Sequence, residues 1–208
     1  MNLSSDSQKM TKAPPRASRK SAQSSVSASS AYVPPLTTTH ASLLKNGRDS
    51  GFREVVYLMN TVLSRLQVCR ESFGQALGLT GTQFAVLMGV AHRQLDHGVS
   101  IRALATHLAI AQPHVTTEVG RLVEAGLLQK DRHGTDKRSK LITLTDAGKA
   151  YVEEVSPYVQ RVNDHLFAGI SVSDFKVLGD TLNCIAMNSE LAMAEIRKQK
   201  LESASQKN

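Results

Sequence analysis

A mainly helical fold carrying a small sheet is predicted by three observations. Apolar residues recur at steps of three and four through most of 52–191. Two short helical stretches within 100–125 are separated only by a tight turn at 109–111. Two apolar segments, 127–131 and 141–144, flank a polar, glycine-containing tip, as in a hairpin. Together they read as a winged helix-turn-helix: six helices plus a two- or three-stranded wing.

The chain has 208 residues, of which 41% are hydrophobic, enough for one packed domain with extensions. Aromatic residues make up only 4% and Trp is absent, so the core is expected to be aliphatic. No apolar run is long enough for a membrane span, and 1–45 lacks the apolar segment of a secretory signal. The two cysteines, Cys69 and Cys184, are too few for a disulfide framework, so a reduced, cytoplasmic setting is expected. The net charge is +7, but residues 1–45 hold six Lys or Arg (Lys9, Lys12, Arg16, Arg19, Lys20 and Lys45) against one acid, Asp6. Most of the basicity is therefore a tail property, and local clustering has to make any case for a nucleic-acid partner.

Residues 1–45 contain eleven Ser and four Pro and few large apolar side chains. Such a segment cannot offset its ordering entropy, so disorder is expected. From Phe52 to Leu77 the apolar steps describe one long amphipathic helix ending at Gly78. Its length suits packing against a partner chain as well as against its own core. Thr80, with Gln83 three residues on, forms a capping box for a second helix that ends near Arg93. Ser100 caps a third, with Ile101, Leu104 and Leu108 on its inner face. A fourth runs over 112–125, with Pro113 in its first turn, where a missing N–H is harmless. Val115, Val119, Leu122 and Val123 face its core side. After the hairpin, Thr145 restarts a helix whose apolar stripe runs from Tyr151 to Leu166, with a kink expected at Pro157. Ser171 and Asp174 resemble a cap for the sixth, whose stripe includes Phe175, Leu178, Leu182, Cys184 and Ile185. Residues 201–208 are expected to fray.

The fourth helix should present Gln112, His114, Thr116, Thr117 and Arg121 outward, with Pro113 at its start. Gln can pair bidentately with adenine, a Thr methyl can meet the thymine methyl, and Arg or His can reach guanine or phosphate. Any amphipathic helix shows polar residues outward, so this face alone is weak evidence. The hairpin adds weight. Between Lys130 and Lys140 stand five cations (Lys130, Arg132, Lys137, Arg138 and Lys140) against two acids, with His133. An Arg at such a tip suits the narrow minor groove, and Asp136 can orient Arg138.

Three segments carry a resemblance: G-L-T-G-T-Q-F-A-V-L at 78–87, L-V-E-A-G-L-L at 122–128 and T-D-K-R-S-K-L-I-T-L-T-D-A-G at 135–148. They resemble the MarR family of bacterial transcription regulators over roughly 52–195. The resemblance implies a winged-helix domain over 46–200, with a DNA-binding lobe at about 80–145 and dimerisation helices at about 50–77 and 146–197. It implies a cytoplasmic homodimer, associated with the nucleoid, that binds a pseudo-palindromic duplex. The helix at 112–125 would enter the major groove. Arg138 would enter the minor groove, supported by Asp136. The family often has Ser or Thr just before this helix; here Ala111 stands there, so the cap is weaker. The resemblance further implies repression relieved by a small effector, often an aromatic acid, bound between the dimerisation helices and the DNA-binding lobe. Arg65, Arg70, Met88, His92 and Arg93 are the candidates for that site, and an Arg there would hold a carboxylate.

A buried structural thiol is the default reading of Cys69, and the resemblance adds a redox sensor as its alternative. The seven histidines (His40, His92, His97, His107, His114, His133 and His165) show no metal-ligand spacing, and no cofactor or hydrolase motif is present. Two other readings stay open: a redox- or zinc-sensing repressor of the same fold, and a winged-helix protein-interaction module without specific DNA binding.

Overall fold

The computed structural model describes residues 32–132 and 140–205. The chain divides into two compact units, residues 1–53 and 54–208.

In the first unit, residues 32–49 are held by short-range ties. A single 3-10 turn spans Ala41–Leu43, and Lys45 and Arg48 exchange backbone hydrogen bonds. Asp49 is fully buried and accepts from both the amide and the hydroxyl of Thr37, each at 2.7 Å. Arg53 stands 2.9 Å from the other carboxylate oxygen, close enough for an ion pair but out of hydrogen-bond alignment. The expected disorder through 45 therefore does not extend over 32–45, because Asp49 organises the residues before it.

Among the described residues there are six α-helices and three strands: α1 (Ser50–Ala76), α2 (Gly81–Arg93), β1 (Val99–Ser100), α3 (Ile101–Leu108), α4 (Gln112–Glu124), β2 (Leu128–Arg132), β3 (Lys140–Leu144), α5 (Asp146–Leu166) and α6 (Val172–Ser205). The sheet is antiparallel in the order β1-β3-β2, so the wing has three strands. Val99 pairs with Ile142 on one side of β3, and Leu128 with Leu144 on the other. A two-residue strand has no alternation to read, which is why β1 was not legible beforehand.

The helix starts follow their caps. Thr80 and Gln83 complete the capping box on α2. The Thr145 hydroxyl accepts from Gly148 at the start of α5 and donates to the Gly126 carbonyl, joining α5 to the end of α4. Gly148 is required at that joint, because a Cβ there would run into the Leu127 carbonyl oxygen. Helix α5 continues unbroken through Pro157.

The main core lies in the lobe formed by α2, α3, α4 and the sheet. Val86, Leu87, Val90, Leu104, Val115, Val119, Leu122, Leu128 and Ile142 are its buried centre. A smaller cluster joins α1, α2 and α5 through Phe73, Phe84 and Val155, with Cys69, Met88, Tyr158 and Val159 packed against it. Most of α1 before Cys69 and nearly all of α6 are exposed. Cys184 is exposed, so its expected place on a core stripe is corrected: periodicity finds the apolar face of α6, but among the described residues this face stays exposed. Helix α6 also runs on through 201–205, where fraying was expected, supported by hydrogen bonds from Ser203 and Ser205 to carbonyls one turn back.

Candidate nucleic-acid interface and effector site

Helix α4 is oriented by its apolar side. Val115, Val119 and Leu122 are buried, which turns Gln112, Pro113, His114, Thr116, Thr117 and Arg121 outward, and all six are exposed. The tight turn before it is made by Ala109, in the left-handed region at φ 51. Ala111 is the N-cap and offers no side-chain hydrogen bond, as its methyl group dictates. The Thr116 hydroxyl donates to the Gln112 carbonyl at 2.9 Å and the Thr117 hydroxyl to the Pro113 carbonyl at 3.1 Å. Both hydroxyl protons are thus used within the helix, and the hydroxyl lone pairs and the methyl groups are what remain to meet a base. Arg121 is engaged with Glu118 at 2.7 Å. A phosphate would have to share or displace that partner.

At the root of the wing, Arg132 and Lys140 form the last register pair between β2 and β3. Asp136, Lys137 and Arg138, on which the minor-groove expectation rests, lie outside the described residues. The wing base is tied to α2 by a contact that the sequence did not announce: the Gln94 side-chain carbonyl accepts from the Leu144 amide at 2.8 Å. Gln94 closes α2 by its own backbone as well, donating to Val90.

The five residues expected at an effector cleft do not gather in one place. Met88 packs on the cluster of Phe73, Phe84 and Val155. Arg70 lies on α1 one turn before Phe73 and is half-buried. Its Nε is buried without a hydrogen-bond partner among the described residues. The aromatic rings of the cluster that includes Phe73 are tightly arranged: Phe73 lies 5.5 Å from Phe84 and 5.2 Å, edge-on, from Tyr158. The Tyr158 hydroxyl in turn shares a hydrogen bond with Ser72 at 2.9 Å. Cys69 is half-buried against the same cluster. Arg65 is exposed on α1, apart from this group. His92 and Arg93 are exposed at the end of α2, where they line a different hollow beside β1 and α3. Two polar anchors of the structure, Glu71 and Gln94, escaped sequence reasoning. Glu71 accepts from the Gly81 amide at 2.9 Å and so caps α2 from α1. Neither contact has a periodic or local signature.

No helix among the described residues is long and apolar enough to cross a membrane, and they hold no cluster of three or more potential metal ligands.

Known proteins agree with this architecture. The sequence profile described as MarR family matches residues 77–139. The transcriptional activatory protein BadR of Rhodopseudomonas palustris is 28% identical over 125 residues, 56% of this chain and 71% of that protein. Among solved structures, a MarR-family transcriptional regulator from Silicibacter pomeroyi is 25% identical with a TM-score of 0.56, covering 64% of this chain and 88% of the other. BpsR of Bordetella bronchiseptica, whose DNA binding is described as regulated by 6-hydroxynicotinic acid, is 25% identical with a TM-score of 0.52, covering 64% and 92%. With the capped helices, the helix-turn-helix and the three-stranded wing in place, the chain is similar to the MarR family of winged-helix transcriptional regulators, whose profile matches its DNA-binding lobe.

Proposed function

We propose that this regulator works as a homodimer that sets two copies of α4 into successive major grooves of a pseudo-palindromic duplex, about 34 Å apart, and lets go when a small aromatic acid binds. The observation that carries this reading is the outward face of α4. Six residues able to meet bases or phosphates are exposed there, and Thr116 and Thr117 already donate their hydroxyl protons to carbonyls one turn back. Arg132, Lys140 and the tip residues Asp136, Lys137 and Arg138 belong to the minor-groove side of the same interface. The Arg138 guanidinium is the group that enters the groove.

The effector reading is supported by Arg70. A buried guanidinium nitrogen without a partner is costly, and the carboxylate of an aromatic acid would satisfy it while the ring meets Phe73, Phe84 and Tyr158. Met88 would shape the apolar wall. BpsR, with its response to 6-hydroxynicotinic acid, is a relative of that chemical kind. A ligand there need only favour a half-site separation that misfits DNA. Cys69 adjoins the same cluster, so a redox signal would act through the same helices. A second reading, activation in place of repression, is favoured by the BadR relative, whose name is that of an activator. On either reading the place of action is the bacterial cytoplasm, on the nucleoid.

The test is selection of binding duplexes from a random pool, followed by fluorescence anisotropy. Replacing Gln112 or Thr117 with Ala is expected to change which sequences are selected. Arg138→Ala should weaken all duplexes alike and lower the salt slope by about one. Arg70→Ala should keep DNA affinity and remove the response to a panel of aromatic acids. A protein that enriched no duplex would overturn the DNA reading. Release by aromatic acids that persisted in Arg70→Ala would overturn the effector site.

A further inference from the structure

From His97 to Thr117 the chain has no Asp or Glu, although it includes Arg102, His107 and His114. In the fold, the start of this acid-free stretch meets the end of α2. Two adjoining surface hollows result, of about 430 and 360 Å³, both bordered by Arg93, Ser100 and Ala103. His92 and His97 border the first, Arg102 and His107 the second, and among the described residues no acid lines either. Arg93, Arg102 and His107 are all exposed. Neither arginine has an ion-pair partner among the described residues, in contrast to Arg121 on α4. The nearest acid in sequence, Asp96, is not part of the lining.

We propose that this shelf, with Arg93 and Arg102 as its centre, grips the phosphate backbone beside the groove entered by α4. The proposal rests on the reading of α4 as the recognition helix. In a helix-turn-helix the first helix crosses the backbone while the second reads bases, and α3 is that first helix. Its exposed flank carries Arg102, Thr106 and His107, and the end of α2 adds Arg93 and His92 on the same side of the hollow. Contacts of this kind fix register and add affinity without choosing sequence. A small anionic effector fits less well. Sites for such ligands enclose most of the molecule, whereas the arginines and histidines here are open to solvent. Arg93 and His92 are thereby moved from the effector site to the DNA-binding face.

The experiment uses the full chain, one random-sequence duplex and the tightest duplex from the selection above, titrated by anisotropy from about 50 to about 300 mM KCl. The double variant Arg93→Ala, Arg102→Ala is expected to lose affinity for both duplexes by a similar factor, about tenfold or more at the lowest salt. Its salt slope should shrink by about two, since each phosphate contact contributes about 0.9. Both residues are exposed, so an unchanged melting curve checks the fold. The charge-preserving pair Arg93→Lys, Arg102→Lys should restore most of the slope. Wild-type affinity and slope in the double Ala variant would overturn the shelf and leave the reading of α4 standing. So would a loss confined to the selected duplex. Intact DNA binding with a lost response to an added aromatic acid would assign the shelf to the effector instead. A wild-type chain that bound neither duplex would overturn the α4 reading itself.

Discussion

Single side chains decide local order at both ends of the scaffold. Asp49 is the plainest case. Thr37 donates to its carboxylate first through the hydroxyl and then through the amide, and Arg53 adds a nearby positive charge. These hold the carboxyl below the usual carboxylate range. A depressed folded-state pKa means that this contribution is complete above the ordinary Asp value of about 3.9 and is lost as pH falls through the lowered one. The Thr37 amide should therefore be protected from hydrogen exchange near neutral pH and lose protection in acid. Thr37→Val should loosen the segment at neutral pH without acid. Equal protection of that amide at neutral pH and well below the lowered value would refute the link. The tie spans twelve residues in sequence, follows no period, and joins a segment rich in Ser and Pro. Composition alone assigned that segment to disorder.

At the scale of the element, α4 was the most legible part of the chain. Its buried positions follow the helical period, and the outward residues are simply the complement of Val115, Val119 and Leu122. What the pattern could not supply was the state of the outward groups. Arg121 is already partnered, and Thr116 and Thr117 have turned their hydroxyls inward, because each depends on a neighbour three or four residues away in a chosen rotamer. The element has one evident weakness, its start. Ala111 leaves the first amides of α4 without a side-chain acceptor. Ala111→Ser should stabilise the protein by about 1 kcal/mol, read as a shift in the midpoint of urea unfolding. No shift would show that another group or solvent already satisfies those amides.

For the whole molecule, the surface left to explain among the described residues is apolar. Val55, Leu58, Val62, Leu63 and Leu66 on α1 meet Leu166, Phe167, Ile170, Phe175, Leu178 and Leu182 around a hollow of about 480 Å³. Many of these side chains are half or more exposed in the single chain, far beyond the scattered apolar residues that a monomer tolerates. Two copies covering these faces would explain why a sequence with a clear helical stripe leaves the stripe open. It would also explain why Cys184 was misread: a stripe tells which side avoids water, not whose side chains cover it. Light scattering should give about 45 kDa, twice the 22.5 kDa chain. Leu63→Asp with Phe175→Asp should halve the mass and weaken duplex binding. A wild-type monomer would refute the pairing.

The hydrogen bond from the Leu144 amide to the Gln94 side chain gives this molecule an internal gauge. Leu144 sits where the returning strand of the wing rejoins the body, and Gln94 sits where α2 stops. The exchange rate of that one amide therefore registers whether the helix carrying Met88 and the paired strands β2 and β3 are latched together. An effector that levers α2 out of place would unlatch the hairpin, and the Leu144 proton would reveal it before any change in overall shape.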